Sequence, residues 1–303
     1  MAPSASGTMP LRRASCIVLL RKNKAHQGLE VLMAQRSKNL KAFAGAYVFP
    51  GGVSEPCDGP EGTQEQSKRC GLRELFEEAG VLLAMSARGN RAKPVEFKSR
   101  EEKKAWQKRV HDNPNEFEKL LKEKNVNLAT NALFHWVTFI TPVMEPRRFY
   151  TDFFVVDSRY EDEGLELDEG ETISLSWIAP EEALEKNIKG EMPFLPPQFY
   201  VLRTILAAGK SPAEVVASVA ERKPEDAPVP ILPHPVGMQD KILVLAYPGD
   251  EEHCDYPGPK GSKHRIMVRT PMGSSGGYRF DSTLKGPALT AGEWAAIKSK
   301  AAL

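Results

Sequence analysis

The sequence predicts an α/β fold, because strand-like runs and amphipathic helical segments both occur along its 303 residues. The clearest strands are two long runs rich in β-branched and aromatic residues, at 133–141 and 148–156. The clearest helix lies at 65–79, where apolar residues recur at helical spacing. A chain of this length can bury a sizeable core, as one large domain or two small ones.

The N-terminal part alternates predicted strands and turns. Residues 1–10 are rich in Pro, Ser and Gly, and we expect them to be disordered. A strand pair is predicted at 16–20 and 29–35, and a short third strand at 47–49 ends at a Pro-Gly-Gly turn. The following helix should end where Gly80 takes a left-handed conformation.

The remaining elements are predicted to surround that core. Residues 86–128 are dense in Lys, Arg and Glu, yet their apolar residues keep helical spacing, which predicts two inserted helices. This insert either covers a functional site or decorates the surface. The runs at 133–141 and 148–156 are expected at the sheet centre, within a domain at 11–210. Residues 211–303 carry short strand-like runs, and we expect an extension packed on that domain, with an independent domain as the alternative.

Charge and cysteine content limit the classes of partner and compartment. Because 41 basic residues balance 40 acidic ones, neither nucleic acid nor a membrane is expected as a partner. No run approaches the 18 apolar residues of a transmembrane helix. The four cysteines lack metal-binding spacing and fit a reducing compartment, with a Cys57–Cys70 bridge left open. We expect an intracellular protein. The C-terminal Ala-Ala-Leu is at best a degenerate relative of the peroxisomal S-K-L signal, with a frayed tail as the alternative, and peroxisome, cytoplasm and mitochondrion all stay open.

The predicted helix at 65–79 has two opposite faces. The apolar face spans about 100° and consists of Leu72, Leu75, Phe76 and Ala79. The acidic face lies opposite and consists of Glu74, Glu77 and Glu78. Like charges at this spacing repel by roughly 0.2–0.5 kcal/mol per pair, so the acidic face needs a counter-charge. Hard cations such as Mg²⁺ bind carboxylate oxygens, usually together with substrate phosphates. The pattern therefore predicts a metal platform anchored to a core.

The same stretch matches the Nudix box, G-x5-E-x7-R-E-U-x-E-E-x-G-U with U apolar, at every fixed position. Those positions are Gly59, Glu65, Arg73, Glu74, Leu75, Glu77, Glu78, Gly80 and Val81. On these residues the chain resembles Nudix hydrolases. The resemblance implies the Nudix α/β/α sandwich, a mixed sheet between helices, to which the inserted helical pair and the C-terminal extension are additions.

The resemblance also implies metal ligands. In Nudix hydrolases the box glutamates and a carbonyl of the preceding Gly-Gly pair hold the metal, which implies Glu74, Glu77, Glu78 and Gly52 here, with Mg²⁺ or Mn²⁺ as cofactor. In most members the second glycine of Pro-Gly-Gly is itself the first box residue. Here Gly59 lies seven positions after Gly52, and Gly52 is the favoured carbonyl donor.

Two roles each have more than one candidate residue: the partner of Arg73 and the general base. Arg73 lies between the two helix faces and is predicted to orient a glutamate, while Glu65 suits the helix N-terminus and is a candidate partner for Arg73. Glu78 is one candidate general base. Family members often use a glutamate on a loop before a strand that ends in Trp, and LDEGETISLSW offers Glu169 and Glu171 there.

Upstream of the box, LMAQRSKNLKAFAGAYVFPGG resembles an extra motif of coenzyme A diphosphatases within the Nudix family, L-L-T-x-R-[SA]-x3-R-x3-G-x3-F-P-G-G. The residues that match in register are Leu32, Arg36, Ser37, Gly45, Phe49, Pro50, Gly51 and Gly52. Lys41 replaces the second arginine and keeps its charge, but it lacks the bidentate fork that grips a phosphate. Because coenzyme A carries a 3′-phosphate, the resemblance implies that Arg36 and Lys41 bind the substrate. The alternative is two ordinary surface cations.

Two later segments, MEPRRFYTDFFVV and PFLPPQFY, resemble the peroxisomal-type branch of that group, nucleoside diphosphate-linked moiety X motif nineteen. The likeness thus covers about residues 12–205. That branch reads R-F-D-T-R-F-F where this chain has RFYTDFF, so Asp152 stands in place of a basic side chain. The resemblance makes Arg148 a candidate phosphate contact.

We therefore expect metal-dependent hydrolysis of a nucleoside diphosphate linked to another moiety. Coenzyme A or acyl-coenzyme A is the favoured small-molecule substrate, and its products would be 3′,5′-ADP and (acyl-)4′-phosphopantetheine. ADP-ribose, dinucleoside polyphosphates and RNA caps are alternative Nudix substrates. A catalytically silent nucleotide-binding module is a different class, and such modules usually lack the box glutamates that this chain keeps.

Overall fold

The computed structural model describes residues 11–23, 25, 27–40, 43–85, 92–143, 145, 147–158, 165, 172–239, 242–269 and 279–285. Its strands are β1 (Arg12–Lys22), β2 (Leu29–Arg36), β3 (Tyr47–Val48), β4 (Gly51–Val53), β5 (Leu83–Met85), β6 (Ala92–Pro94), β7 (Phe134–Ile140), β8 (Phe149–Asp157), β9 (Thr172–Ile178), β10 (His234–Gln239), β11 (Ile242–Ala246), β12 (Arg265–Arg269) and β13 (Arg279–Lys285). Its helices are α1 (Gln64–Ala79), α2 (Arg100–Asp112), α3 (Glu116–Lys124), α4 (Pro180–Lys189), α5 (Pro196–Ala208) and α6 (Pro212–Ala220). Residues 1–10, predicted to be disordered, lie outside these ranges.

The main sheet is mixed, as predicted. Its strands follow the order β3-β2-β1-β8-β7, with β4 paired to β1 and β9 paired to β2. Strands β1 and β8 run parallel, with Ser15 opposite Asp152, whereas the other pairs of this sheet are antiparallel. Ser15 also lies opposite Gly52 of β4. The pairing therefore places the Gly-Gly segment and Asp152 on either side of β1.

Alternating side chains of the central strands feed two separate apolar layers. On β1, Ile17 and Leu19 pack with the apolar face of α1 and with the inserted helices. Their neighbours Val18 and Leu20 point to the opposite layer, which contains side chains from α4, α5 and α6. This alternation follows from the two-residue period of a strand. The sheet accordingly lies between helical layers, and the predicted sandwich is confirmed.

The inserted helices α2 and α3 pack directly on α1. Trp106, Val110 and Phe117 are buried in the same apolar layer as Phe76 of α1. The Phe117 and Phe76 rings stack with centroids 6.3 Å apart. The insert thus contributes to the core, and its polar edge reaches the acidic face of α1. Ahead of these two helices, β6 of the insert pairs antiparallel with β5.

A second, antiparallel sheet is formed by β10, β11, β12 and β13. Leu245, Tyr247 and Ile266 of this region share one apolar layer with the main sheet. The Tyr247 ring lies 5.9 Å from that of Phe139 and 5.5 Å from that of Tyr200, both edge-on. Edge-on ring pairs of this kind are favourable beyond the area they bury.

Two details of the sheet differ from the predictions. Strand β7 ends the sheet order, although both long apolar runs were expected at its centre. The edge of β7 is covered by Ile231, whose backbone exchanges hydrogen bonds with Thr138 and Ile140, and this cover explains an apolar edge strand. Strand β10 was not predicted, because it contains Pro235, and proline disfavours strand interiors.

None of the helices in the described ranges is both long and apolar enough to cross a membrane. The thiols of Cys16, Cys57, Cys70 and Cys254 are all free, so the Cys57–Cys70 bridge that the sequence left open does not form.

Candidate active site

Helix α1 is fixed at both ends and along one side. The hydroxyl of Thr63 accepts a hydrogen bond from the Gln66 N–H at 3.1 Å, which caps the first turn. Gly80 ends the helix with φ of 66°, the left-handed conformation predicted for it. The apolar face is fully buried against the sheet and the insert. Because that face is fixed, Glu74 and Glu78 are turned toward strand β4.

The backbone of β4 lies directly against those glutamates. A Cβ atom on Gly52 would lie 2.4 Å from the Cδ atom of Glu74, and one on Gly51 would lie 2.2 Å from the Ser15 carbonyl oxygen. At Gly51 only glycine fits, because the clash is with backbone, whereas at Gly52 a Cβ atom would displace the Glu74 carboxylate. The Gly51 N–H donates to Glu78 Oε2 at 3.1 Å, and the Gly52 carbonyl accepts a weak hydrogen bond from Cys70 at 3.6 Å. The Gly-Gly segment therefore forms one wall of the acidic face.

Arg73 is a buried hub that holds two of the glutamates. Its side chain is only 2% exposed. Nη1 donates to Glu74 Oε1 at 2.8 Å and to Glu77 Oε1 at 2.7 Å, and Nη2 donates to the Val53 carbonyl at 3.0 Å. Nε and Nη2 bind both oxygens of Asp58, each at 3.0 Å. The guanidinium is thereby locked, and it orients Glu74 and Glu77 in turn.

Asp58 is a site residue that the sequence reasoning missed. The expected pairing of Arg73 with a glutamate is present at Glu74 and Glu77, but the candidate partner Glu65 is exposed, and Asp58 takes the bidentate position. Asp58 is 2% exposed and sits in a short turn that begins at Pro56. The available signal was a carboxylate immediately before Gly59, on the extended loop between Gly52 and the box.

Burial and crowding of negative charge shift the ionisation of this face. Burial raises the pKa of Glu74 to about 7, against the opposing effect of Arg73 and together with the nearby charge of Glu77. Burial likewise raises the pKa of Glu77, and Arg73 opposes it. The pKa of the Cys16 thiol is raised by burial and then by Glu78 and Glu74. One guanidinium thus faces several buried carboxylates, which is the environment that a bound cation would stabilise.

The donor set fits a hard divalent cation. Glu74, Glu77 and Glu78 offer carboxylate oxygens from one helix, and the Gly52 backbone lies so close to Glu74 that a side chain there would displace its carboxylate. Such oxygen donors suit Mg²⁺ or Mn²⁺. Carboxylates with one shared counter-ion would be costly to bury together without a further cation.

Arg36 lies within electrostatic reach of the acidic face. It ends strand β2, and its positive charge lowers the pKa of Cys16, the thiol that Glu74 and Glu78 also influence. The Nε of Arg36 is buried and has no hydrogen-bond partner within the described part of the chain. A buried donor without a partner destabilises the folded chain, and a ligand that accepts its hydrogen bond would remove this cost.

The remaining predicted residues lie elsewhere or are not described. Arg148 is buried at the β7–β8 turn, where its Nε donates to the Thr141 carbonyl at 3.1 Å, and no contact joins it to the glutamates of α1 in the described ranges. Lys41, Glu169 and Glu171 lie outside the described residues. The structure thus gathers the box residues on α1, links Arg36 to them only through their shared influence on Cys16, and places Arg148 elsewhere.

Asp152 has a structural task that the sequence did not reveal. Its carboxylate accepts hydrogen bonds from Thr138 at 2.7 Å and from Ser67 of α1 at 2.8 Å, and His135 Nε2 lies 3.7 Å away. Burial alone would raise the pKa of Asp152, but the hydrogen bonds from His135, Thr138 and Ser67 lower it. Asp152 therefore ties the start of α1 to strands β7 and β8.

The insert also reaches the site. Gln107 Nε2 donates to the backbone carbonyl of Glu77 at 3.1 Å, and His111 Nδ1 lies 3.7 Å from Glu77 Oε2. Helix α2 therefore borders the acidic face at Glu77, and a purely decorative role for the insert is excluded.

Comparisons with known proteins agree with this geometry. A family model described as the NUDT19 Nudix domain matches residues 64–205. Putative nudix hydrolase 7 of Caenorhabditis elegans is 28% identical over 250 residues, which cover 82% of this chain and 76% of that protein. Acyl-coenzyme A diphosphatase NUDT19 of Xenopus laevis is 26% identical over 290 residues, which cover 78% of this chain and 75% of that protein.

A solved structure supports the fold. The crystal structure of a NUDIX hydrolase from Alicyclobacillus acidocaldarius superposes with a TM-score of 0.60 at 24% identity, over 70% of this chain and 97% of that one. The matched family model begins at the first turn of α1 and so contains Arg73 and all three glutamates. The chain contains a Nudix hydrolase domain that matches at residues 64–205, it is an enzyme that acts on phosphoanhydride bonds, and its sequence resembles the NUDT19 branch of that superfamily.

Proposed function

We propose that this enzyme hydrolyses the diphosphate bond of coenzyme A or acyl-coenzyme A in a divalent-cation-dependent reaction. The products would be 3′,5′-ADP and 4′-phosphopantetheine or its acyl form. The observation that carries this proposal is the position of Arg36, a half-buried cation near the acidic face whose Nε is buried and has no hydrogen-bond partner among the described residues. Coenzyme A has a group for each position: its diphosphate would bind the cation at the acidic face, and its 3′-phosphate would bind Arg36.

The residues of the acidic face suggest how the reaction is supported. We propose that Mg²⁺ or Mn²⁺ is held by Glu74, Glu77, Glu78 and the Gly52 carbonyl. The bound cation would neutralise negative charge on the diphosphate. Arg73 and the Gly51 N–H keep these carboxylates in place before the substrate arrives. Such preorganisation avoids rearrangement during the reaction.

The chemical step requires an activated water. Its oxygen forms a bond to one phosphorus, the bridging P–O bond breaks, and the water proton passes to a general base. We propose Glu78 or Glu171 as that base. Glu78 has the support of its position, because it lies on the acidic face with one oxygen held by Gly51.

Selectivity for coenzyme A is proposed to come from Arg36 and Lys41. Arg36 stands at the end of β2, and its N–H and carbonyl pair with the Ala46 carbonyl and the Gly45 N–H at 2.9 and 3.2 Å. These contacts hold Gly45 and Ala46, just before β3, against the arginine. The names of the NUDT19 relatives, acyl-coenzyme A diphosphatases, support the same substrate class.

A substrate panel tests this proposal. Purified full-length protein is incubated with Mg²⁺ or Mn²⁺ and coenzyme A, an acyl-coenzyme A, ADP-ribose, a dinucleoside tetraphosphate or capped RNA, and the products are resolved by mass. We expect the coenzyme A substrates to have the highest kcat/KM and to yield 3′,5′-ADP. Glu78→Gln serves as the inactive control, and Glu123→Gln, on the exposed side of α3, serves as the matched active one.

The panel separates the alternatives. A higher kcat/KM for ADP-ribose, dinucleoside polyphosphate or capped RNA would replace the coenzyme A assignment with that substrate. Cleavage of none of them, by protein that is folded and binds the cation, would indicate a nucleotide-binding module.

A further inference from the structure

A second group of potential metal ligands lies in the C-terminal region, on elements separate from α1 and β4. His234 begins β10, and Cys254 and Asp255 lie in the turn between β11 and β12. His234 pairs in register with Ala246, the last residue of β11, so the start of β10 lies where this turn begins. The fold thereby joins a histidine with a cysteine and an aspartate about twenty positions later. Sequence spacing alone gave no sign of this.

The ligand atoms of these three residues converge. Nε2 of His234 lies 3.4 Å from Cys254 Sγ and 2.9 Å from Asp255 Oδ2, and one ligand atom from each residue lies within 4.8 Å of the others. Tetrahedral zinc, with bonds of about 2.0 Å to N or O and 2.3 Å to S, separates such atoms by about 3.3–3.6 Å. The thiol also lies 2.7 Å from Nδ1 of the same ring. Small side-chain rotations would therefore be enough to bring the three donors around one ion.

A buried histidine holds the two ligand segments together. His253 is 1% exposed; its Nε2 donates to the Leu232 carbonyl at 3.0 Å, and its Nδ1 accepts from the N–H groups of Asp255 and Tyr256 at 3.3 and 3.0 Å. These partners fix the tautomer. The His253 ring also packs edge-on against His234, with centroids 4.4 Å apart. His253 thus places the turn beside the start of β10 without itself having a free ring nitrogen.

The rest of the turn is organised by a second buried side chain. The carboxylate of Asp250 accepts hydrogen bonds from the N–H groups of Glu252 and His264 at 2.9 and 2.8 Å, and from Arg265 Nε at 2.7 Å. Asp250 is fully buried. Cys254 and Asp255 therefore project toward solvent from a well-supported turn. A rigid supporting shell of this kind is what a metal site requires.

We propose that His234, Cys254 and Asp255 form a second metal site, for a borderline-soft divalent ion such as Zn²⁺, which ties β10 to the β11–β12 turn. Thiolate and imidazole ligands select this class of ion, whereas the all-oxygen donors of the α1 face suit Mg²⁺ or Mn²⁺. Three protein ligands leave a fourth position for water. The proposal does not depend on the substrate of the enzyme.

Cobalt(II) is the probe that distinguishes the two sites, because only a cysteine ligand gives a thiolate-to-cobalt charge-transfer absorption. Reduced, metal-free, full-length protein is titrated with Co²⁺ and followed in the near ultraviolet, and Zn²⁺ is then added. We expect one equivalent of Co²⁺ to produce the charge-transfer band and one equivalent of Zn²⁺ to abolish it. Cys254→Ser should lack the band, whereas Glu78→Gln, which alters the α1 face, should retain it.

Matched variants test the other ligands. Asp255→Asn should weaken Co²⁺ binding about tenfold or more, the usual scale for lost support at a metal site. Asp112→Asn, on an exposed aspartate of α2, should leave the titration unchanged. Melting temperatures in chelator should match among these proteins, since Cys254, Asp255 and Asp112 are exposed.

The outcomes decide the proposal. Absence of the band in folded wild-type protein, or its persistence in Cys254→Ser, would overturn it. An unchanged titration in Asp255→Asn would remove the carboxylate from the ligand set, and with it the three-ligand site proposed here. Loss of the band in Glu78→Gln would place the cobalt at the catalytic face instead.

Discussion

Two buried charge clusters in this protein use the same kinds of side chain for different ends. In the C-terminal region, the Asp250 carboxylate is matched by Arg265 and two backbone N–H groups. On α1, one guanidinium, that of Arg73, is shared among Asp58, Glu74 and Glu77. The first cluster is balanced within the protein, whereas the second holds more negative than positive charge.

The ionisation of the two clusters reflects this difference. Burial alone would raise the pKa of Asp250, but hydrogen bonds from Arg265, Glu252 and His264 lower it below the usual range. On α1, burial raises the pKa of Glu74 to about 7 despite the adjacent Arg73. A carboxylate with its own counter-charge stabilises the folded chain, whereas carboxylates that share one counter-charge would be stabilised by a further cation. Charge balance therefore distinguishes the C-terminal cluster, which is satisfied within the protein, from the candidate catalytic cluster on α1.

The largest expected effect is on catalysis at the unbalanced cluster. Glu77→Gln or Glu78→Gln should lower kcat by orders of magnitude, because each removes a proposed metal ligand. Stability should stay the same or rise, since the substitution relieves repulsion between buried carboxylates. Steady-state kinetics and thermal melting measure both. A variant that keeps more than about a tenth of the activity, a loss of only ~1.4 kcal/mol, would not be a ligand.

The next comparison concerns the arginine at the centre of each cluster, Arg73 on α1 and Arg265 in the C-terminal region. Removal of one partner from a buried ion pair costs roughly 3–5 kcal/mol, so Arg73→Met and Arg265→Met should both lower the free energy of unfolding. Arg73→Met should also lower kcat, because Glu74 and Glu77 lose their support, whereas Arg265→Met should not. Urea unfolding and kinetics are measured on both proteins. Equal loss of kcat in the two variants would show that the clusters are not functionally distinct.

Substitutions of Arg36 and Lys41 test whether these cationic side chains bind the 3′-phosphate of coenzyme A. A charge-assisted contact is worth about 1.5–3 kcal/mol, so Arg36→Ala or Lys41→Ala should lower kcat/KM for coenzyme A some ten- to hundredfold. Cleavage of dephospho-coenzyme A, which lacks the 3′-phosphate, should change little. Lys108→Ala, on an exposed side chain, is the matched control. An unmoved ratio of the two kcat/KM values would exclude both residues as readers of that phosphate.

The smallest effect concerns Asp152, a satisfied carboxylate close to the catalytic helix. The pKa of Asp152 is lower in the folded chain than in the unfolded one. Its ionised carboxylate therefore stabilises the fold fully above the pKa of an unfolded aspartate, about 3.9. This stabilisation is lost as pH falls through the lower pKa of the folded chain. Asp152→Asn should cost about 1 kcal/mol at neutral pH, and the difference from wild type should shrink below pH ~4. Urea unfolding across pH measures it. A difference independent of pH would show that the charge of Asp152 is not involved.

The sequence predicted the catalytic helix well and its surroundings less well. The apolar and acidic faces of α1 follow from local spacing, and Gly80 ends the helix as expected. Strand β4 was missed because two glycines and a valine have no strand signature; pairing with β1 forms it. Asp58 was missed because its partnership with Arg73 depends on how a long loop folds back.

The C-terminal region shows the same limit more strongly. Its ligand candidates, His234, Cys254 and Asp255, are brought together by the register of β10 and β11, which no local pattern encodes. A resemblance confined to about residues 12–205 could not point to them either. The features that the sequence did not predict therefore depend on pairing between residues far apart in the chain, which local residue preferences do not encode.

The most direct test of the central claim, that the acidic face of α1 binds a catalytic cation, is Mn²⁺ binding followed by electron paramagnetic resonance. Full-length wild type is compared with the triple variant Glu74→Gln, Glu77→Gln and Glu78→Gln, with circular dichroism as the check on folding. We expect wild type to bind Mn²⁺ and the folded triple variant to lose that binding together with diphosphate hydrolysis. Equal Mn²⁺ affinity in the two proteins would contradict the claim.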